Sequence, residues 1–102
     1  MSKVKVANVN DLPEGGLKKV EVNGEPVALY KIDGKFYATQ NECSHVGCGL
    51  DEHHSITGDV VECTCHGSQF NVKNGEVVLP PATEPLKTYQ VSVEGEDVFI
   101  SD

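Results

Sequence analysis

Cys43-Ser44-His45-Val46-Gly47-Cys48 and Cys63-Thr64-Cys65-His66-Gly67-Ser68 are two versions of one motif, and the reading of residues 43–68 decides the rest. Each copy offers a thiolate and an imidazole beside glycine. The one-residue gap of Cys43-x-His45 lets both side chains of an extended loop point the same way. The two-residue gap of Cys63-x-x-His66 does the same on a tighter turn. Two cysteines and two histidines in this order suit an iron–sulfur centre in which imidazoles replace two of four thiolates. In a [2Fe–2S] cluster the economical arrangement gives Cys43 and Cys63 to the inner iron and His45 and His66 to the outer one. Neutral imidazole leaves the oxidised centre less negative, so an electron is added more easily and the potential lies at roughly -150 to +300 mV. Tetrahedral zinc also takes two Cys and two His. Zinc motifs, however, usually open with two cysteines spaced by two to four residues, and glycine-flanked ligands suit sulfide atoms that need close backbone donors.

Outward from the motif the chain reads as nearly all β. Short runs rich in Val, Ile, Tyr and Thr are separated by Asn23-Gly24, Asp33-Gly34 and Asn74-Gly75, dipeptides that favour tight turns. Strands are expected over 3–7, 17–23, 27–32, 36–40, 60–63, 69–72, 76–79, 88–94 and 97–101. Tyr89, Val91 and Val93 alternate with Thr88, Gln90 and Ser92, the period of a half-buried strand. The expectation is an all-β antiparallel sandwich or barrel. Residues 41–68 interrupt it as an inserted metal-binding subdomain, with the scaffold at 1–40 and 69–102. Asp51 to Gly58 reads as a polar connector between the two ligand loops. Leu79 to Pro85 carries three prolines and should be stiff.

The 102 residues make one domain, which can bury only ~60–65% of its unfolded surface, so a bound metal would supply much of its folding energy. Eight lysines, no arginine and sixteen acidic residues give a net charge of -8. That disfavours nucleic acid and anionic membranes as partners and suits either a basic protein partner or a solvated surface. No run approaches the ~18 apolar residues of a membrane span. The start, Met1 to Ala7, enters a strand pattern with no signal region, so a cytoplasmic protein is expected. The four cysteines cluster between 43 and 65 with His45 and His66, which favours metal binding over a disulfide scaffold. His53 and His54, among acidic neighbours, read as solvated surface residues. No second metal site, nucleophile–base pair or phosphate loop suggests catalysis, so no catalytic residue is expected.

Cys43-x-His45 followed by Cys63-x-x-His66, extended by Gly47, Cys48, Gly67 and Ser68, resembles the Rieske motif. The chain, little longer than one such domain, is similar to stand-alone Rieske ferredoxins. The resemblance implies a soluble one-electron carrier taking electrons from a flavin-dependent reductase to a terminal oxygenase or similar acceptor, with partners docking near His45 and His66. A carrier in another redox chain, a nitrite-reductase small-subunit-like module or a zinc-bound binding module are the alternatives. The resemblance further implies a disulfide between Cys48 and Cys65, as in respiratory-type members; two buried thiols are the other reading, which a reducing cytosol would favour. Ser68 matches a serine that donates to a cluster sulfide. Phe70 stands where higher-potential members carry a tyrosine donor, so one potential-raising contact is missing. Pro80-Pro81-Ala82 resembles a loop that shields the cluster. Electron uptake should couple to proton uptake at alkaline pH, because iron-bound imidazole is more acidic when the iron is oxidised.

Overall fold

The structure, a computed structural model, describes residues 3–42, 49–65, 67–80 and 84–101. These residues form ten strands and, among them, no helix. Six belong to one antiparallel sheet: β1 (Lys3–Asn8), β2 (Leu17–Val22), β3 (Glu25–Ile32), β4 (Lys35–Gln40), β9 (Thr88–Glu94) and β10 (Asp97–Ser101). Their order is β1-β10-β9-β4-β3-β2, and the outermost strands β1 and β2 come into contact, so the sheet curls into a nearly closed barrel. A second antiparallel sheet holds β5 (His54–Thr57), β6 (Val60–Cys63), β7 (Ser68–Asn71) and β8 (Val77–Leu79) in chain order. The all-β expectation is met.

Local chemistry explains the barrel's tight corners. Asn23 and Asp33 take positive φ of 53° and 57°, each followed by glycine, and they close two-residue hairpins between Val22 and Glu25 and between Ile32 and Lys35. The Glu14 carboxylate reaches across from the β1–β2 loop to accept hydrogen bonds from the Asp33 and Gly34 amides, the latter at 3.0 Å. Those amides hold the Glu14 carboxyl below its usual range.

Strand β3 is buried on both faces and joins two cores. Val27 and Leu29 face the barrel interior with Val20, Val22, Ala38, Val98 and Ile100. Ala28, Tyr30 and Ile32 face the small sheet and meet Val61, Cys63, Phe70 and Val72. Tyr30 fits this apolar layer because its hydroxyl has a partner, Thr39 Oγ1 at 2.8 Å. Burial pushes its phenol pKa well up, so it stays neutral at any ordinary pH.

Two boundaries differ from the expectation. The polar connector contains a strand, β5, which pairs with β6 from His54↔Cys63 to Thr57↔Val60. Its alternation rests on one apolar residue, Ile56, too little for a periodicity signal. The scaffold expected from residue 69 begins instead at β9. Strands β7 and β8 lie in the small sheet, because the inward residues Phe70 and Val77 pack on the second core rather than in the barrel.

Candidate metal centre

Three segments converge where the small sheet meets the barrel. The first follows β4. Asn41, buried at 4% exposure, donates from Nδ2 to Asp51 Oδ1 at 2.8 Å and accepts from the Asp51 amide at 3.1 Å. The Leu50 amide bonds the Asn41 carbonyl at 2.6 Å, and Glu42 bridges Gly49. These bonds close the neck of the segment 43–48. A Cβ on Gly49 would stand 2.8 Å from Asp51 Oδ1, so any larger residue would push the Asp51 carboxylate out of its place in the clamp. Cys43, His45 and Cys48 lie outside the described residues, as does His66.

The second segment is the β6–β7 turn. Cys63 and Ser68 pair across it, and the Gly67 amide bonds the Cys63 carbonyl at 2.8 Å. Cys63 is a fully buried thiol in the second core. Ser68 is also buried. Cys65 is half-buried against the same core and disulfide-bonded. The segment between the first two is fixed to both. The Thr64 amide bonds the His53 carbonyl at 3.2 Å, and His54 Nδ1 lies 2.6 Å from the Leu50 carbonyl. His53 is exposed as expected, but His54 is half-buried and bonded rather than solvated.

The third segment runs from β8 through Pro80, which is exposed, to Leu86; Pro81 and Ala82 lie outside the described residues. Its far end is pinned. The Leu86 amide bonds the Gly75 carbonyl at 2.8 Å, and Leu86 is buried in the core with Cys63. Gly75, at φ 77°, is required twice over, since a Cβ there would collide with the Leu86 carbonyl. Sequence reading missed Asn41, Asp51 and the Gly75–Leu86 contact. An isolated Asn or Gly gives no periodic signal, although an Asn at a strand end ten residues before an Asp was a visible hint.

The donor set fits an iron–sulfur centre. A buried thiol at a strand end, with a buried serine opposite it and a disulfide-bonded turn cysteine beside it, could offer a thiolate ligand and a hydroxyl in a dry setting. Charge is uneven around it. Residues 41–86 carry seven carboxylates and one lysine, a net of -6, whereas the rest carries nine carboxylates and seven lysines, a net of -2.

Comparison with known proteins agrees. The family model for the Rieske [2Fe-2S] domain matches residues 2–90. The chain belongs to the Rieske family, and its cofactor is a Rieske [2Fe–2S] cluster, which sets the zinc reading aside. It is 40% identical over 100 residues to the biphenyl dioxygenase ferredoxin subunit of Pseudomonas sp. (strain KKS102), covering 98% of this chain and 92% of that one. Its fold superposes on the ferredoxin of carbazole 1,9a-dioxygenase from Nocardioides aromaticivorans IC177 with a TM-score of 0.93 at 27% identity, covering 99% and 98% of the two chains. A chain in a complex of reduced oxygenase and oxidised ferredoxin of carbazole 1,9a-dioxygenase matches with a TM-score of 0.91 at 35% identity, covering 97% of this chain and 92% of that one.

Proposed function

We propose that the protein carries single electrons from a flavin-dependent reductase to the terminal oxygenase of an aromatic-ring dioxygenase system, in the cytoplasm. Cys43 and Cys63 hold the inner iron, and His45 and His66 hold the outer iron and form the docking point. Cys48 and Cys65 are the disulfide that joins the two loops, and Ser68 donates its hydroxyl to a cluster sulfide. The supporting observation is the burial of Cys63 and Ser68 as a facing pair at the head of the β6–β7 hairpin. A buried thiol facing a buried hydroxyl suits a ligand and a hydrogen-bond donor to a sulfide. The dioxygenase ferredoxin subunits to which the chain is similar favour the oxygenase acceptor.

When bound, the cluster supplies reversible one-electron storage; the protein's own task is to set its potential and present it. Cys63 is sealed from water, which leaves His45 and His66 as the ligands we propose to face the partner. Mass spectrometry of the unreduced protein should show Cys48 joined to Cys65. Iron and acid-labile sulfide should be present in equal amounts, and H66A should abolish the mixed His/Cys EPR signal. Reconstitution with a flavin reductase and a ring-hydroxylating oxygenase should support turnover that stops when this protein is withheld. Turnover that continues without it would overturn the assignment.

A further inference from the structure

Among the described residues the exposed large hydrophobics are Val78, Leu79 and Val93, and two of them are adjacent on β8. Strand β8 is the edge of the small sheet. Its register with β7 slips, with Phe70 opposite Val77 but Gln69 opposite Leu79, so Val78 is an extra residue in a bulge. Val77 packs inward on the core, while Val78 and Leu79 stand about half exposed at 50% and 47%. A bulge followed at once by Pro80 blocks addition of another strand to this edge. The strip is therefore suited to side-chain contact rather than to β-sheet extension.

The strip adjoins the ligand turn. Leu79, Gln69 and Glu62 form one row across the outer face, and Gln69 directly follows Ser68. Glu62 Oε2 lies 3.9 Å from where a Gly67 Cβ would stand, so its charge sits beside the turn. Next to it is a shallow hollow of about 260 Å³ lined by Ser55, Thr57, Val60, Glu62 and Gln69. Glu76 is exposed two residues before Val78. The half of the molecule bearing this face holds a net -6 of the chain's -8.

We infer that the β8 strip and the Glu62 face form a docking surface for a redox-partner protein whose own contact is apolar at the centre and ringed by lysine or arginine. The inference rests on the electron-carrier reading and extends its contact beyond the tip of the ligand loops. Opposite charge steers the encounter and the apolar strip holds it. Each productive encounter moves one electron from the reduced protein to one acceptor.

The test mixes reduced holoprotein by stopped flow with oxidised cytochrome c, a lysine-rich haem protein, and separately with ferricyanide, a small anion that needs no docking face. V78S/L79S should slow reduction of the haem about 5-fold at low and high salt alike. E62Q/E76Q should slow it about 3- to 10-fold at low ionic strength, with the gap closing by about 0.5 M salt. V93S, which alters an equally exposed residue on the barrel, should match the unmodified protein. Ferricyanide rates should not change in any variant. The inference is overturned if V78S/L79S matches the unmodified protein, if V93S slows the haem equally, or if ferricyanide reduction slows in step. The last outcome would place the defect in the electron carrier itself.

Discussion

The barrel and the small-sheet lobe hold their shapes in different ways. The barrel has six strands of five to eight residues, two-residue corners and a core of aliphatic side chains contributed by most of its strands. The lobe has four strands of three or four residues, and its inward side chains find partners on β3, Leu50 and Leu86 as much as on one another. Its remaining support is polar: the Asn41–Asp51 clamp, the Gly67–Cys63 turn and the Leu86–Gly75 tie. Short strands bury too little to be stable alone. On the proposed ligation the cluster is held by this lobe, so its order should depend on the cluster more than the barrel's does.

Removing the cluster puts the largest strain on this contrast. Stripping iron with a chelator under reducing conditions, or replacing Cys63 with Ser, should open the lobe and leave the barrel folded. Amides of β5–β8 should lose at least about 100-fold in hydrogen-exchange protection while those of β3, β4 and β10 lose less than about 10-fold. Equal loss in both sheets would show one cooperative unit and dissolve the distinction.

The neck clamp gives the next effect. N41A leaves the Asp51 amide without its buried partner, a cost of about 1–3 kcal/mol concentrated at the loop that bears Cys43 and His45. Iron loss to a chelator should quicken by about 5- to 100-fold. D51N keeps an acceptor oxygen and should be milder. If both variants lose iron at the unmodified rate, the clamp does not hold the loop.

What was legible follows from the same contrast. Barrel strands and the corners at Asn23 and Asp33 could be read because runs rich in β-branched and aromatic residues mark the strands and the turn residues are chemically specific. The ligand motif could be read because thiolate and imidazole at fixed spacing have few other uses. Strand β5 was hidden because its partner, not its own composition, makes it a strand: four residues with one aliphatic side chain pair with β6. The lobe was cut short for a related reason. Phe70 and Val77 look like barrel residues until the chain is folded and they turn to Tyr30's side of β3. The Asn41–Asp51 clamp and the Gly75–Leu86 tie were harder to read, because each joins residues that no local period or turn signal links, even though Asn74-Gly75 marks a turn.

Phe70 sharpens the comparison from within the lobe's core. It is fully buried opposite Val61, on the strand that begins at Ser68. F70Y would add a hydroxyl that must either find an acceptor near Cys63 or be buried unsatisfied. A bond to a cluster-side sulfur, at about 0.5–1.5 kcal/mol, corresponds to a rise of about 20–65 mV in midpoint potential for a one-electron couple. Protein-film voltammetry reads it directly. A lowered melting temperature with no change in potential would place the hydroxyl away from the cluster.

The smallest effect belongs to the barrel, where Glu14 caps the β3–β4 corner. Its carboxyl pKa lies below the ordinary value because the charged form accepts two amide hydrogen bonds. A group whose folded pKa is depressed stabilises the fold above its unfolded pKa, and the gain fades as pH falls through the folded value. The unmodified protein should therefore melt higher than E14Q at pH 7, with the gap closing below about pH 4. Because Glu14 is fully exposed, solvent screening keeps the gap to a small shift in melting temperature. The comparison is best made on iron-free protein, so that acid loss of the cluster does not enter. The shift should appear in the barrel amides, with those of β5–β8 unmoved. A gap that persists unchanged to pH 3 would mean that the side-chain amide of E14Q fails to replace the cap through shape rather than charge.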